Sequence, residues 1–254
     1  MAATNPYQPN PYQSPVSTSE ETSRAFDEPL SDWIFEPGAR ARLLTTVVIL
    51  GGSEFVVFVL ALGMLAYSIA ESGPLFTTSG GPTLLTALGA FSLAKTFALP
   101  IWALMPGPQR RLSIVTAILH PIAVIAVSIF CLRAMRGVFM PSMLELFGAS
   151  AFALLMTSQS LLTLAVRSIA VSQKLRFLRA ICGLAVIGYA LAAAACSMNV
   201  LEVVPRYSDS LVLISMGTGM LGQLLQILVF FQLFNWARSV WLAGPDSDEN
   251  RIDQ

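Results

Sequence analysis

Charge is scarce in this sequence. Of its 254 residues only 12% are charged, against about 25% in a typical globular domain, and 55% are hydrophobic. Lys+Arg 15 balances Asp+Glu 15, so no basic excess points to nucleic acid. Histidine is scarcer still. With His120 alone, bis-histidine haem ligation within the chain is excluded and a His-rich zinc site is argued against. The three cysteines, Cys131, Cys182 and Cys196, show neither CxxC nor metal-ligand spacing and read as small buried apolar groups. GxxxxGK[ST], HExxH and GxSxG are missing as well, and with them the common signatures of ATPase, zinc protease and hydrolase sites. Ser53 would need a base within hydrogen-bond reach to act as a nucleophile, and the single histidine is expected at a shallower level. The reading is therefore of a protein that is not an enzyme and carries no cofactor or metal.

What is present is apolar sequence in long runs. Six have about the twenty residues needed to cross ~30 Å of hydrocarbon at 1.5 Å per residue. They fall at 43–69, 83–105, 112–132, 143–166, 180–201 and 211–235. The fold expected is all-α: a polytopic membrane helical bundle of six transmembrane helices, forming one domain over 43–235. Pro106-Gly107-Pro108-Gln109 makes a tight turn between the second and third spans.

Flanking segments differ in character. Residues 1–29 are polar and rich in Pro, Ser, Gln and Glu, and should form a disordered leader. No basic n-region with an early apolar stretch is found there, so the first span is expected to serve as the targeting signal. Asn5-Pro6-Tyr7-Gln8 is repeated as Asn10-Pro11-Tyr12-Gln13 and closes with Ser14-Pro15. This leader resembles the Asn-Pro-Tyr-Gln-Ser-Pro opening of uncharacterised bacterial multi-pass inner-membrane proteins. The resemblance covers about fifteen residues of low-complexity sequence. It implies location in the bacterial inner membrane and brings no functional residues. In the segment 30–42, Leu30, Trp33 and Ile34 make an amphipathic turn suited to the membrane surface, Pro37-Gly38 ends it, and Arg40 and Arg42 mark the edge of the first span. The tail, 236–254, turns acidic after Trp241.

Loop charges set the orientation. If the spans alternate, Arg40, Arg42, Arg110, Arg111, Arg167, Lys174, Arg176, Arg179 and Arg238 share one side, against Arg133, Arg136 and Arg206 on the other. The positive-inside rule then places both termini in the cytoplasm. Trp33, Trp102, Trp236 and Trp241 map to that same side, where indole rings favour the interface.

The titratable residues deep in the spans converge on one level. Glu54 lies eleven residues from Leu43, Lys95 ten from Met105 and His120 eight from Leu112. At 1.5 Å per residue these depths are about 16, 15 and 12 Å. Glu54 and Lys95, on consecutive antiparallel helices, are expected to pair, because each alone would be driven toward its neutral form. Gly51 and Ser92, three residues before each, should ease the approach. His120 precedes Pro121, which removes an amide from the helix, and Thr116 and Ser113 continue its face. Gln159 with Thr163, and Ser215, Gly219, Gly222, Gln223 and Gln226, add uncharged polar groups as helix packing or a hydrated path. The fifth span is nearly featureless, with Ala192 to Ala195 as a packing face and Tyr189 within the span.

Two functional readings follow. Intramembrane ionisable residues mark function by default, which favours a small proton-sensitive transporter or channel centred on Glu54, Lys95 and His120, taking an ion or small molecule. The alternative is a non-catalytic membrane subunit or structural protein whose buried ion pair fixes helix packing, working in the lipid bilayer with a second copy or another membrane subunit. Whether Cys131 and Cys196, both near the outer ends of their spans, pair is left open.

Overall fold

A computed structural model describes residues 37–71, 81–135, 141–200 and 208–243. The leader repeat, the 30–36 turn with Trp33, Arg136, Arg206 and the acidic tail lie outside the described residues. Every element in the described residues is a helix: α1 (Pro37–Glu71), α2 (Gly81–Ala103), α3 (Arg110–Met135), α4 (Pro141–Ser172), α5 (Arg176–Val200) and α6 (Ser208–Ala243). Five are long and apolar enough to cross a membrane: α1, α3, α4, α5 and α6.

The helices outrun the apolar runs that mark them. α4 continues to Ser172 and α6 to Ala243, so the boundary expected at residue 236 falls within a helix. α1 begins at Pro37, a residue tolerated in a first turn because its missing amide has no helical acceptor there. It therefore takes in Arg40 and Arg42, which were expected to lie before the span. Apolar content defines the stretch that lipid would cover, while backbone hydrogen bonding carries the helix past it. α2 and α3 run through Pro100 and Pro121 without ending.

Each helix packs on its neighbours in the chain, and α6 closes back on α1, giving a ring of six. Small residues set the close seams. Gly188 of α5 lies so near α6 that a Cβ there would be 3.1 Å from the Gly222 Cα and the Thr218 carbonyl. Ala192, on the expected packing face of α5, is buried beside Gly219. Gly51 is placed differently from expectation. It lies against α6, where a Cβ would come within 3.0 Å of the Phe230 Cβ, so its smallness serves the closing seam.

The main apolar core fills one end of the ring. It joins Leu43, Val47 and Leu50 of α1, Leu99 and Trp102 of α2, Leu162, Val166 and Ile169 of α4, Ile181 of α5, and Val229, Phe230 and Leu233 of α6. That end gathers the starts of the odd helices and the ends of the even ones, and with them the arginines of the short connections. Trp102 lies at this end, one residue before the end of α2. Its side chain is wholly buried in this core, its Nε1 without a hydrogen-bond partner.

Both described turns at this end are built by specific backbone chemistry. In the α2–α3 turn Gly107 has φ 133°, and a Cβ there would sit 2.5 Å from the Gln109 Oε1, so only glycine fits. α4 ends in a Schellman motif: Leu175 N donates to Ala170 O at 2.8 Å and Lys174 N to Val171 O at 3.1 Å. Lys174 takes the left-handed position at φ 55°, where glycine is usual.

A candidate polar centre

The polar centre sits one turn beyond the apolar core, toward the other end of the ring. Glu54 is the midpoint of α1, and Leu50, one turn before it, is the last α1 residue of the main core cluster. Lys95 stands one turn before Leu99 on α2, and Gln159 one turn before Leu162 on α4. The helical repeat thus turns all three toward the interior above the core.

Lys95 Nζ and Glu54 Oε1 form a buried ion pair, each side chain at most 3% exposed. Burying two charges is costly unless their remaining donors and acceptors are satisfied. Here amides supply the satisfaction. Gln223 Nε2 of α6 donates to Glu54 Oε2 at 3.2 Å and approaches the Glu54 backbone carbonyl at 3.4 Å. Gln159 of α4 stands on the other side, within reach of both charged groups. Gln226 lies between Gln159 and Tyr189, and the Tyr189 hydroxyl donates to Gln226 Oε1. The chain of contacts therefore crosses the ring from α1 and α2 through α4 and α6 to α5.

The two charged groups orient the Gln159 amide: Nε2 donates to Glu54 Oε1 at 3.1 Å and Oε1 accepts from Lys95 Nζ at 3.0 Å. This suits a carboxylate beside an ammonium, since one only accepts and the other only donates.

His120 is fully buried on the α3 side of this centre. Its Nδ1 lies 3.1 Å from Ser158 Oγ, and Ser158 donates its own proton to Leu155 O at 2.8 Å. The other ring nitrogen, Nε2, is buried and has no side-chain hydrogen-bond partner. Lys95 and the Ser92 backbone are within electrostatic reach of the ring. Ser53, the serine weighed as a nucleophile, donates to Leu50 O at 2.9 Å and makes no hydrogen bond to His120. Ser113 and Thr116 likewise turn back to carbonyls of their own chain, Gln109 at 2.9 Å and Leu112 at 2.8 Å, so the polar face of α3 is spent within itself. Thr163 does the same toward Gln159 O at 2.9 Å.

The structure thus brings Glu54, Lys95, Gln159, Gln223 and Gln226 into one network and sets His120 beside it. Two members were missed from sequence. Tyr189 makes α5 a contributor, against the expectation of a nearly featureless span, and Ser158 contacts the His120 ring at 3.1 Å. Gly222 makes room for Tyr189, because a Cβ there would lie 3.1 Å from the tyrosine ring. Cys131, Cys182 and Cys196 are unpaired, and Cys196 contacts Ser215 Oγ at 2.9 Å. No group of His, Cys, Asp and Glu capable of holding a metal occurs among the described residues.

No family model, curated protein or solved structure matches the chain.

Proposed function

We propose that this is a six-span integral membrane protein whose polar centre moves or senses a proton, as a small proton-sensitive transporter or channel. α2 is read as the sixth span. Its 23 residues would extend about 34 Å at 1.5 Å per residue, and Lys95 is its only charged residue. The gathering of arginines at one end of the ring supports placing both termini on the cytoplasmic side. The leader's resemblance supports the bacterial inner membrane.

The single observation that carries the reading is the buried Lys95–Glu54 ion pair deep in two spans, held by the amides of Gln159 and Gln223. His120 adds a buried imidazole beside Lys95. The apolar core closes the centre toward the arginine-rich end, so access is assigned to the opposite end.

The test is reconstitution in liposomes with an entrapped pH dye. Under an imposed ion or pH gradient the wild type should change the internal pH, and Glu54→Gln should abolish the change. Absence of flux in both would overturn the proton reading.

A second reading has its own support. Gln223 ties Glu54 to α6, the helix that closes the ring. A non-catalytic membrane subunit or structural protein, using the ion pair to fix helix packing alone or against a partner chain, would need that contact and no flux. Loss of folded protein in Glu54→Gln without any flux in the wild type would favour it.

A further inference from the structure

A second polar feature lies at the arginine-rich end, outside the centre. The last turns of α4 and the first turns of α5 enclose a cleft of about 360 Å³ lined by Arg167, Arg176, Arg179, Ala180 and Gly183. Three of its five lining residues are arginines, and none is a carboxylate. Glu54, the one carboxylate among residues whose side chains are described, is occupied by Lys95. Arg167 Nε is shut away from solvent and has no hydrogen-bond partner. A buried guanidinium N–H without an acceptor is unfavourable, and three cations around one space repel unless an anion sits among them. The planar donor forks of arginine suit phosphate, and the positive end of the α5 dipole adds to the field.

The surroundings distinguish the kind of phosphate. Ala180 lines the cleft and also begins an exposed stripe on α5 that continues through Leu184, Ile187 and Leu191. These positions recur at helical spacing on one face. Phe177, 66% exposed, flanks the cleft on the same helix. A Cβ on Gly183 would meet nothing within 4 Å, so the space is open at the point where cleft and stripe meet. A ligand that fits both has a phosphate head and an apolar body.

We infer that the α4–α5 cleft is a binding site for the phosphate group of an anionic phospholipid, held by Arg167, Arg176 and Arg179 with its acyl chains along Leu184, Ile187 and Leu191. This rests on the membrane reading above and is independent of the proton reading.

The test uses the full chain purified in neutral detergent, with bound lipid counted by native mass spectrometry. The probes are phosphatidylglycerol, phosphatidylcholine and inorganic phosphate. Wild type should retain phosphatidylglycerol in preference to phosphatidylcholine, and inorganic phosphate should not displace it. Each basic group at an anionic surface is worth roughly five-fold in partitioning, so Arg176→Gln with Arg179→Gln should cut the preference by about 25-fold. Both side chains are exposed, so the variant should fold. Gly183→Leu, which fills the cleft without changing charge, should lower retention too. Arg110→Gln with Arg111→Gln, at the same end but outside the cleft, should leave it near wild type.

Equal retention of the two lipids, or equal losses in both arginine pairs, would overturn the site. Displacement by inorganic phosphate would overturn the lipid assignment. Reconstitution into phosphatidylcholine bilayers separates the two levels of inference. A protein that inserts there but shows no phosphatidylglycerol preference overturns only this site, whereas one that fails to insert overturns the membrane reading with it.

Discussion

Gln223 Nε2 reaches Glu54 Oε2 at 3.2 Å, across 169 residues of chain. The last helix thereby binds the acid of the first, and the same acid binds Lys95 of the second. Glu54 consequently has two duties, as half of an ion pair and as the latch of the ring. Its loss is felt by α2 and α6 together.

Removing one charge should leave the other stranded. Glu54→Ala is expected to destabilise the protein by about 3–5 kcal/mol, the usual cost of breaking a buried pair from one side. Glu54→Ala with Lys95→Ala should recover part of that loss, because no buried charge remains. Thermal melting of the purified single and double variants in one detergent measures the difference. A double variant no more stable than either single would rule out the pairing as an energetic unit.

The amide chain predicts coupling between residues that do not touch. Tyr189→Phe deletes the donor to Gln226 Oε1 and should cost about 1–3 kcal/mol as an unsatisfied buried acceptor. Glu54→Gln perturbs the far end of the same chain. Combined, the two changes should depart from additivity by about 0.5–3 kcal/mol, as expected within one hydrogen-bond network. Simple additivity in a double-mutant cycle would show that Gln159 and Gln226 do not relay orientation.

Adjacent glycines should respond oppositely to the same substitution. A Cβ on Gly51 meets Phe230 at 3.0 Å, while one on Gly52 meets nothing within 4 Å. Gly52→Ala is expected to stabilise the helix by about 0.5–1 kcal/mol through backbone entropy alone. Gly51→Ala should destabilise by forcing α1 and α6 apart. Resistance to denaturing detergent, measured side by side, is sufficient to read the signs, and the same sign for both would refute the placement of α6 on α1.

The α4 cap offers a stabilising change. Lys174 holds a left-handed conformation that costs an ordinary residue roughly 1–2 kcal/mol. Lys174→Gly should raise the melting temperature, and Lys174→Val should lower it, since β-branching suits φ 55° least. Equal melting temperatures for the two variants would argue against the Schellman cap.

How much of this was legible in the sequence differs by element. The Glu54–Lys95 pairing could be read because charge is so rare in the spans that two opposite charges at one depth stand out. Gln159, Gln223 and Gln226 were visible for the same reason, as amides in apolar runs. Tyr189 was not, because a tyrosine in an apolar helix has the same pattern whether its ring faces lipid or an interior amide. Ser158 was hidden among hydroxyls that mostly bond their own backbone. Gly51 was assigned to the wrong neighbour because spacing along α1 gives a face but not which helix covers it, and closure of α6 onto α1 is a property of the ring. The helix ends were set short because hydropathy reports apolar content, whereas α4 and α6 continue past it on backbone bonding. The cap at Lys174 carries no glycine to announce it.

The seam between α6 and α1 also bears on how the protein is made. At roughly 5–20 residues per second, synthesis of the 169 residues between Glu54 and Gln223 takes about 8–34 s. Once Lys95 has been added, and for the remaining 128 residues of that interval, the nascent chain has Glu54 and Lys95 but not yet Gln223. The first two helices must therefore neutralise each other as a hairpin, or be sheltered by the insertion machinery, until the last helix arrives to complete the carboxylate's contacts.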